Sequence, residues 1–173
     1  LGNIGGICTT QRKYLEGLKY ENECLSIMKK LKDQTGMAVS HLNIATGYQM
    51  LSNIDSAEVH YQKSFKLFIE TNHISGLIAA YGSYAEFFLK FKNYKNSIKY
   101  ARLTMQMAVS LNDLVMEKQV QHILFKAYDS MNDSRNALKH FKRWSELQDT
   151  IMKMASRKEI TAKEYAFRYQ QKT

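Results

Sequence analysis

Apolar residues recur along most of the chain at intervals of three and four, which places them on one face of an α-helix. Two such runs span residues 37–51 and 57–69, and Ser52 and Asn53 separate them with side chains suited to a turn and a helix N-cap. Gly76 is available to end a helix or to form the turn that closes this unit. The same layout recurs downstream, so the pattern predicts antiparallel pairs of helices, each helix about 15 to 18 residues long.

A repeat of 40 positions relates these units, because residues of similar character align when the chain is compared with itself at that offset. One aligned column holds only small residues, and another is mostly aromatic. The small column contains Gly17, Ala57, Ser97 and Ala137, and the aromatic column contains Cys8, Tyr48, Phe88 and Tyr128. Small side chains let two helices approach within about 8 to 10 Å where they cross. A single pair cannot bury both of its faces, so we expect neighbouring pairs to stack around one continuous core.

The second unit contains a family pattern that the later units repeat in part. It reads Asn43-Ile44-Ala45, Tyr48, Leu51-Ser52-Asn53-Ile54, Ala57, Tyr61 and Ser64-Phe65. This layout resembles the tetratricopeptide repeat (TPR) family over about residues 1–152. The resemblance implies an all-α fold, a right-handed superhelix of antiparallel helix pairs. The sequence departs from the family in its period, which is 40 where about 34 is usual, and in its lack of proline.

The repeat register divides the chain into four helical hairpins and one further segment. The hairpins cover about residues 1–35, 36–75, 76–113 and 114–152, the first of them truncated, and residues 153–173 form a C-terminal helical extension or connector. This last segment resembles the helical connector that follows repeat arrays in bacterial membrane-linked signalling proteins. A capping helix that folds back over the last repeat is an equal alternative, and the same segment is a candidate for self-association.

The TPR resemblance also implies where a partner binds, because in that family the first helices of the units line a concave groove that holds a peptide. The corresponding residues here are Val39, Leu42, Thr46, Gln49 and Met50, then Ala79, Gly82, Glu86, Leu89 and Lys90, then Gln119, His122, Lys126, Asp129 and Ser130. Ordinary solvated surface is the alternative for each of them. The clamp that some members use for a C-terminal carboxylate is not filled, since Asn43 is present but Thr46, Ser83 and Gln119 occupy its other positions.

Composition limits the chemistry that this chain can perform. It has 173 residues, of which 45% are apolar, with only two cysteines. No apolar run approaches the ~18 residues needed to cross a bilayer. The five histidines, at positions 41, 60, 73, 122 and 140, show no metal-ligand spacing along one helix face. Cys8 and Cys24 fall in columns of core residues, and no carboxylates pair as general acid and base. We therefore expect no catalysis, no cofactor and no metal.

The net charge of +9 is concentrated toward the C-terminal end, where residues 139–173 hold nine basic and four acidic side chains. Two functional hypotheses follow. The first is a non-catalytic TPR module that binds protein or peptide, serving as the sensory or scaffolding region of a bacterial signal-transduction protein of the adenylate/guanylate cyclase or histidine kinase type. In that case it lies on the periplasmic side of a membrane. The second is a cytoplasmic regulator that binds nucleic acid or an acidic partner through its basic end.

Overall fold

The computed structural model describes the backbone of residues 14–170 and the side chains of residues 14–161. Within this range the chain is all-helical, as the sequence predicts, and contains seven helices. They are α1 (Tyr14–Leu31), α2 (Gln34–Met50), α3 (Ile54–Glu70), α4 (Ile74–Lys90), α5 (Tyr94–Ser110), α6 (Leu114–Ser130) and α7 (Ser134–Gln170). The predicted right-handed sense of the superhelix stays a prediction.

The helices begin at intervals of 20 residues, so the backbone repeats twice within each 40-residue sequence unit. The first of the six connections has two residues and the other five have three, and each contains one residue with a positive φ between 51° and 60°. In the α2–α3 connection the Ser52 amide donates to the Gln49 carbonyl and the Asn53 amide donates to the Tyr48 carbonyl. This is the Schellman arrangement, which satisfies two carbonyls that a helix end leaves without partners.

The last residue of each connection caps the next helix. Its side chain accepts a hydrogen bond from the backbone amide three residues later, and the six caps are Asp33, Asn53, His73, Asn93, Asp113 and Asp133. The histidine acts through Nδ1, which lies 3.0 Å from the amide nitrogen of Gly76. The expectation that Gly76 ends a helix is therefore wrong, because it lies in the first turn of α4. A Cβ there would overlap the ring of Phe68, which explains the glycine.

The small residues of the 40-residue repeat are all buried and occupy the fourth position of α1, α3, α5 and α7. At one of these positions the Ser97 hydroxyl donates to the carbonyl oxygen of Ala85 on α4, at 2.9 Å. Such a bond requires the backbones of α4 and α5 to lie close together. A larger side chain at position 97 would separate them.

Aromatic side chains fill the space between successive pairs, and Tyr84 lies at the centre of the largest cluster. Its ring is 4.9 Å from that of Tyr61 on α3, 4.7 Å from that of Tyr100 on α5 and 4.4 Å from that of Phe88 on α4. A second cluster around Val120 joins α4 and α5 to α6 and α7. Contacts also join alternate helices, since α2 contacts α4 and α4 contacts α6. These three helices therefore form one layer.

The last helix, α7, has 37 residues and continues well beyond the array. Residues 152–161 are exposed, and the described part of the chain has no further helix folded back over the last pair. None of the described helices is both long enough and apolar enough to cross a membrane.

Candidate functional site

A cavity of about 270 Å³ opens between α4 and α6, in the layer that the sequence associates with a groove. Its lining combines apolar residues with three polar side chains, and consists of Ala79, Gly82, Ser83, Glu86, Met116, Gln119 and Ile123. Four of these, Ala79, Gly82, Glu86 and Gln119, are among the predicted groove residues. The structure thus brings together predicted residues of α4 and α6. Two of them, Glu86 and Gln119, are 33 positions apart in the sequence.

The depth of the cavity depends on Gly82. A Cβ at this position would lie 3.4 Å from the sulfur of Met116 and 3.6 Å from Cγ2 of Thr104. These are van der Waals contacts, so the backbone of α4 could carry a small side chain there. Any larger side chain would occupy the space that is now open.

Glu86 is the carboxylate of the cavity. Partial burial raises the pKa of Glu86, and the positive charge of Lys126 on α6 opposes this shift. Among the described residues it forms no ion pair within 4 Å. Its oxygens are therefore available to accept hydrogen bonds from a bound group.

Gln49 differs from the groove expectation, because it is buried and only 6% exposed. Its Oε1 accepts a hydrogen bond of 2.6 Å from the hydroxyl of Tyr61. Burial raises the pKa of Tyr61, a hydrogen bond with Thr46 lowers it and the charge of Glu86 raises it, so the phenol stays neutral. Gln49 thus connects α2 to α3 by a hydrogen bond, and its side chain is not part of the groove surface.

The remaining predicted residues fall into two groups. Leu42, Thr46, Leu89 and His122 are half-buried, and Val39, Met50, Lys90, Lys126, Asp129 and Ser130 are exposed. His122 stacks on Trp144 of α7 with ring centroids 5.2 Å apart, so its ring is engaged with the last helix. Lys90 donates to the backbone carbonyl of Gln49. Asn43, the one matched residue of the carboxylate clamp, donates to Oε1 of the buried Glu21 at 3.2 Å.

One contact that the sequence does not reveal joins two histidines across a helix pair. The Nδ1 atoms of His41 on α2 and His60 on α3 are 3.0 Å apart, so one ring donates and the other accepts. Burial lowers the pKa of His41 to about 4, helped by the charges of His60, Lys63 and Lys29. Burial and the same two lysines lower the pKa of His60. Both rings are therefore neutral at physiological pH.

Metal and thiol chemistry has little support in the described residues. They contain no group of three or more histidine, cysteine or acidic side chains placed to hold a metal ion. Cys24 is a free, half-buried thiol whose sulfur lies 3.5 Å from the hydroxyl of Ser40. Cys8, which the repeat register places in the core, lies outside the described residues.

The structure defines an array of stacked helix pairs, and comparisons with known proteins agree at the level of the fold. No family model and no curated protein matches the sequence. Among solved structures, the chain is similar to the crystal structure of BtubC (BKLC) from P. vanneervenii, with a TM-score of 0.77 and 12% sequence identity. The match covers 87% of this chain but only 62% of the BtubC chain. At this identity the likeness shows the fold alone.

Proposed function

We propose that the protein is a non-catalytic, TPR-like module that binds a protein or peptide segment across α2, α4 and α6. The observation that carries this proposal is the α4–α6 cavity, where residues predicted from the repeat register meet around open space. Binding sites are typically concave and mostly apolar, with a few polar groups that fix orientation.

The lining suggests how such a segment would bind. An apolar floor that includes Gly82 and Met116 would receive one side chain of the segment. Glu86 and Gln119 would accept hydrogen bonds from N–H groups at its rim, and Gln119 would also donate. Most of the affinity would come from the buried side chain, as at other peptide interfaces.

The wider role that we propose is the sensory or scaffolding region of a bacterial signal-transduction protein. The support is α7, because a single helix that leaves the array with an exposed segment, residues 152–161, suits a connector to an effector. Reading the coding sequence on both sides of residues 1–173 tests this. A membrane span followed by a cyclase or kinase domain is the expected finding, and a frame that encodes neither would overturn it.

Peptide selection tests the binding proposal directly. Panning a random peptide library on the whole chain should enrich related sequences, whose affinity is then measured on variants. We expect Glu86→Gln to weaken binding about fivefold or more, because it removes the charge of the cavity and keeps its shape. Glu70→Gln, on the exposed surface of α3, is the matched control and should change affinity less than about twofold. Equal effects of the two variants, or no enrichment at all, would refute the proposed site.

A further inference from the structure

A second surface of the molecule combines basic side chains with apolar ones. The α5–α7 groove is the name we give to two cavities of about 460 and 560 Å³, the first lined by α5, α6 and α7 and the second by α5 and by Met131 in the α6–α7 connection. Both are lined by Arg102 and Gln106, so they are adjacent. From Lys95 to Gln106 the groove follows α5 for about three helical turns, or roughly 16 Å.

The rim of the groove is basic. It carries Lys95, Lys99 and Arg102 from α5 and Lys139 and Arg143 from α7. Arg143 is paired, since its Nε lies 2.9 Å from Oε1 of Glu117. Within residues 14–161 the other four cations form no ion pair closer than 4 Å. A ligand in this groove would therefore meet four positive charges without competing carboxylates.

The floor of the groove is apolar. Ile98 and Met105 are half-buried, while Leu103 is 38% exposed and Met131 is 50% exposed. Burying such side chains stabilises a complex by about 25 cal/mol per Å² of apolar surface. The combination of a basic rim and an apolar floor suits a partner with acidic and apolar side chains on one face.

The equivalent groove one repeat earlier, between α3 and α5, lacks this character and serves as an internal comparison. It has a similar volume of about 440 Å³, but Gln62 replaces Arg102 in the 40-residue register, and Lys66 pairs with Glu70 at 3.9 Å. Positions 95 and 99 on α5 are Lys, whereas the corresponding positions on α3 are Asp55 and Val59. The lining of the earlier cavity thus holds one cation, which pairs with a carboxylate, whereas the lining of the α5–α7 groove holds five cations.

The rings near the groove argue against a nucleic acid as its ligand. Tyr128 is buried, accepts a hydrogen bond of 2.7 Å from Arg102, and stacks on His140 with ring centroids 5.5 Å apart and planes 1° apart. These rings cover one another, and the described lining has no open aromatic platform of the kind on which single-stranded bases stack. Apolar anchors of a protein segment match the floor better.

We propose that the α5–α7 groove binds an acidic amphipathic helix, about three turns long, of a partner protein. Apolar side chains of that helix would cover Leu103 and Met131, and its Glu and Asp side chains would pair with Lys95, Lys99 and Arg102. This surface is separate from the α4–α6 cavity, so the two could be occupied at once.

The probe for this groove is a synthetic 20-residue helical peptide with glutamates flanking a leucine stripe, titrated onto the full chain. We expect binding that weakens about tenfold when NaCl rises from about 50 to about 300 mM, as charge pairing on a surface requires. Replacing its leucines by serines should also weaken binding about tenfold, since the floor would lose its contacts. No binding of the leucine peptide, or equal binding of the two peptides, would overturn the proposal.

Paired variants locate the site. Lys99→Val with Arg102→Gln introduces the residues of α3 at the same register, and both side chains are exposed, so the fold should tolerate it. This variant should lower affinity about tenfold. The control, Lys63→Leu with Lys66→Gln, removes the same charge from α3 and introduces the residues of α5. Equal losses in both variants would show nonspecific attraction and refute the groove.

Two further measurements distinguish this proposal from nucleic-acid binding and from binding at the α4–α6 cavity. A single-stranded oligo-dT of the same length that binds more tightly than the leucine peptide would overturn the peptide assignment in favour of nucleic acid. Glu86→Gln should leave binding of the acidic probe unchanged, because Glu86 belongs to the α4–α6 cavity. Weaker binding of the probe to Glu86→Gln would show that it binds the α4–α6 cavity and would overturn the proposal.

Discussion

At the residue scale, the structure shows how unlike residues perform the same task in each repeat. The left-handed residues of the connections are Lys32, Ser52, Asn72, Lys92, Asn112 and Asn132. Asn tolerates this conformation and identifies a turn in a sequence. Lysine gives no such indication, and neither does a histidine cap such as His73. The interval of 20 residues between helix starts was therefore not predicted, although the longer period of 40 was.

The sequence does not indicate the His41–His60 pair either, for a different reason. Its contact joins two helices, and the residues are 19 positions apart, so no spacing along one helix indicates it. The register does contain a guide, because the equivalent pair in the last repeat is Gln121 and His140, with Oε1 and Nδ1 2.7 Å apart.

The histidine pair predicts how stability depends on pH. Because its pKa is about 6.5 in the unfolded chain and about 4 when folded, His41 binds a proton more readily when unfolded. The free energy of unfolding should therefore fall as pH drops below about 6.5, by about 2 kcal/mol from this group between pH 7.5 and pH 5. Urea unfolding at the two pH values measures it, with His60, His122 and His140 contributing in the same direction.

A register-matched variant isolates this effect. His41→Gln reproduces the Gln–His pair of the last repeat and keeps a hydrogen-bonding partner for His60. It should unfold at a similar urea concentration near pH 7.5 and lose less stability at pH 5. An equal loss in the variant and the parent chain would show that His41 does not titrate on unfolding.

At the scale of the element, the five helices α2 to α6 are each delimited by a cap on both sides, which explains why each of them has 17 residues. The sequence predicted this length from apolar periodicity alone. It left open whether the C-terminal segment folds back, because no glycine or proline stops the pattern of α7. In the structure this segment continues α7, a single helix of 37 residues that ends at Gln170.

The caps predict that two aspartates contribute differently to the free energy of unfolding. Asp113 is the N-cap of α6, and Asp129 lies in its last turn. Asp113 accepts a hydrogen bond of 2.9 Å from the amide of Met116, so Asp113→Ala should lower the free energy of unfolding by about 1 kcal/mol. Asp129 is exposed in the last turn, where a negative charge opposes the helix dipole. Asp129→Ala should therefore be neutral or slightly stabilising. Urea denaturation compares them, and equal losses would contradict the capping role.

At the scale of the whole molecule, the repeat register predicted the all-helical fold, the burial of the small column and several residues that meet in one cavity. It could not predict that Gln49 turns inward, because this depends on the position of the Tyr61 hydroxyl on another helix. It placed the excess positive charge at the C-terminal end. In the structure, cations of α7 meet those of α5 across one groove, and only the packing of the helices brings them together.

We propose that the layer formed by α2, α4 and α6 is the recognition surface, and amide hydrogen exchange of the chain, free and saturated with a peptide selected on it, is the decisive test. Bound peptide should slow exchange along residues 79–86 of α4 and 116–123 of α6, because those segments line the cavity. Slower exchange confined to α3, α5 and α7, or no change anywhere, would contradict it.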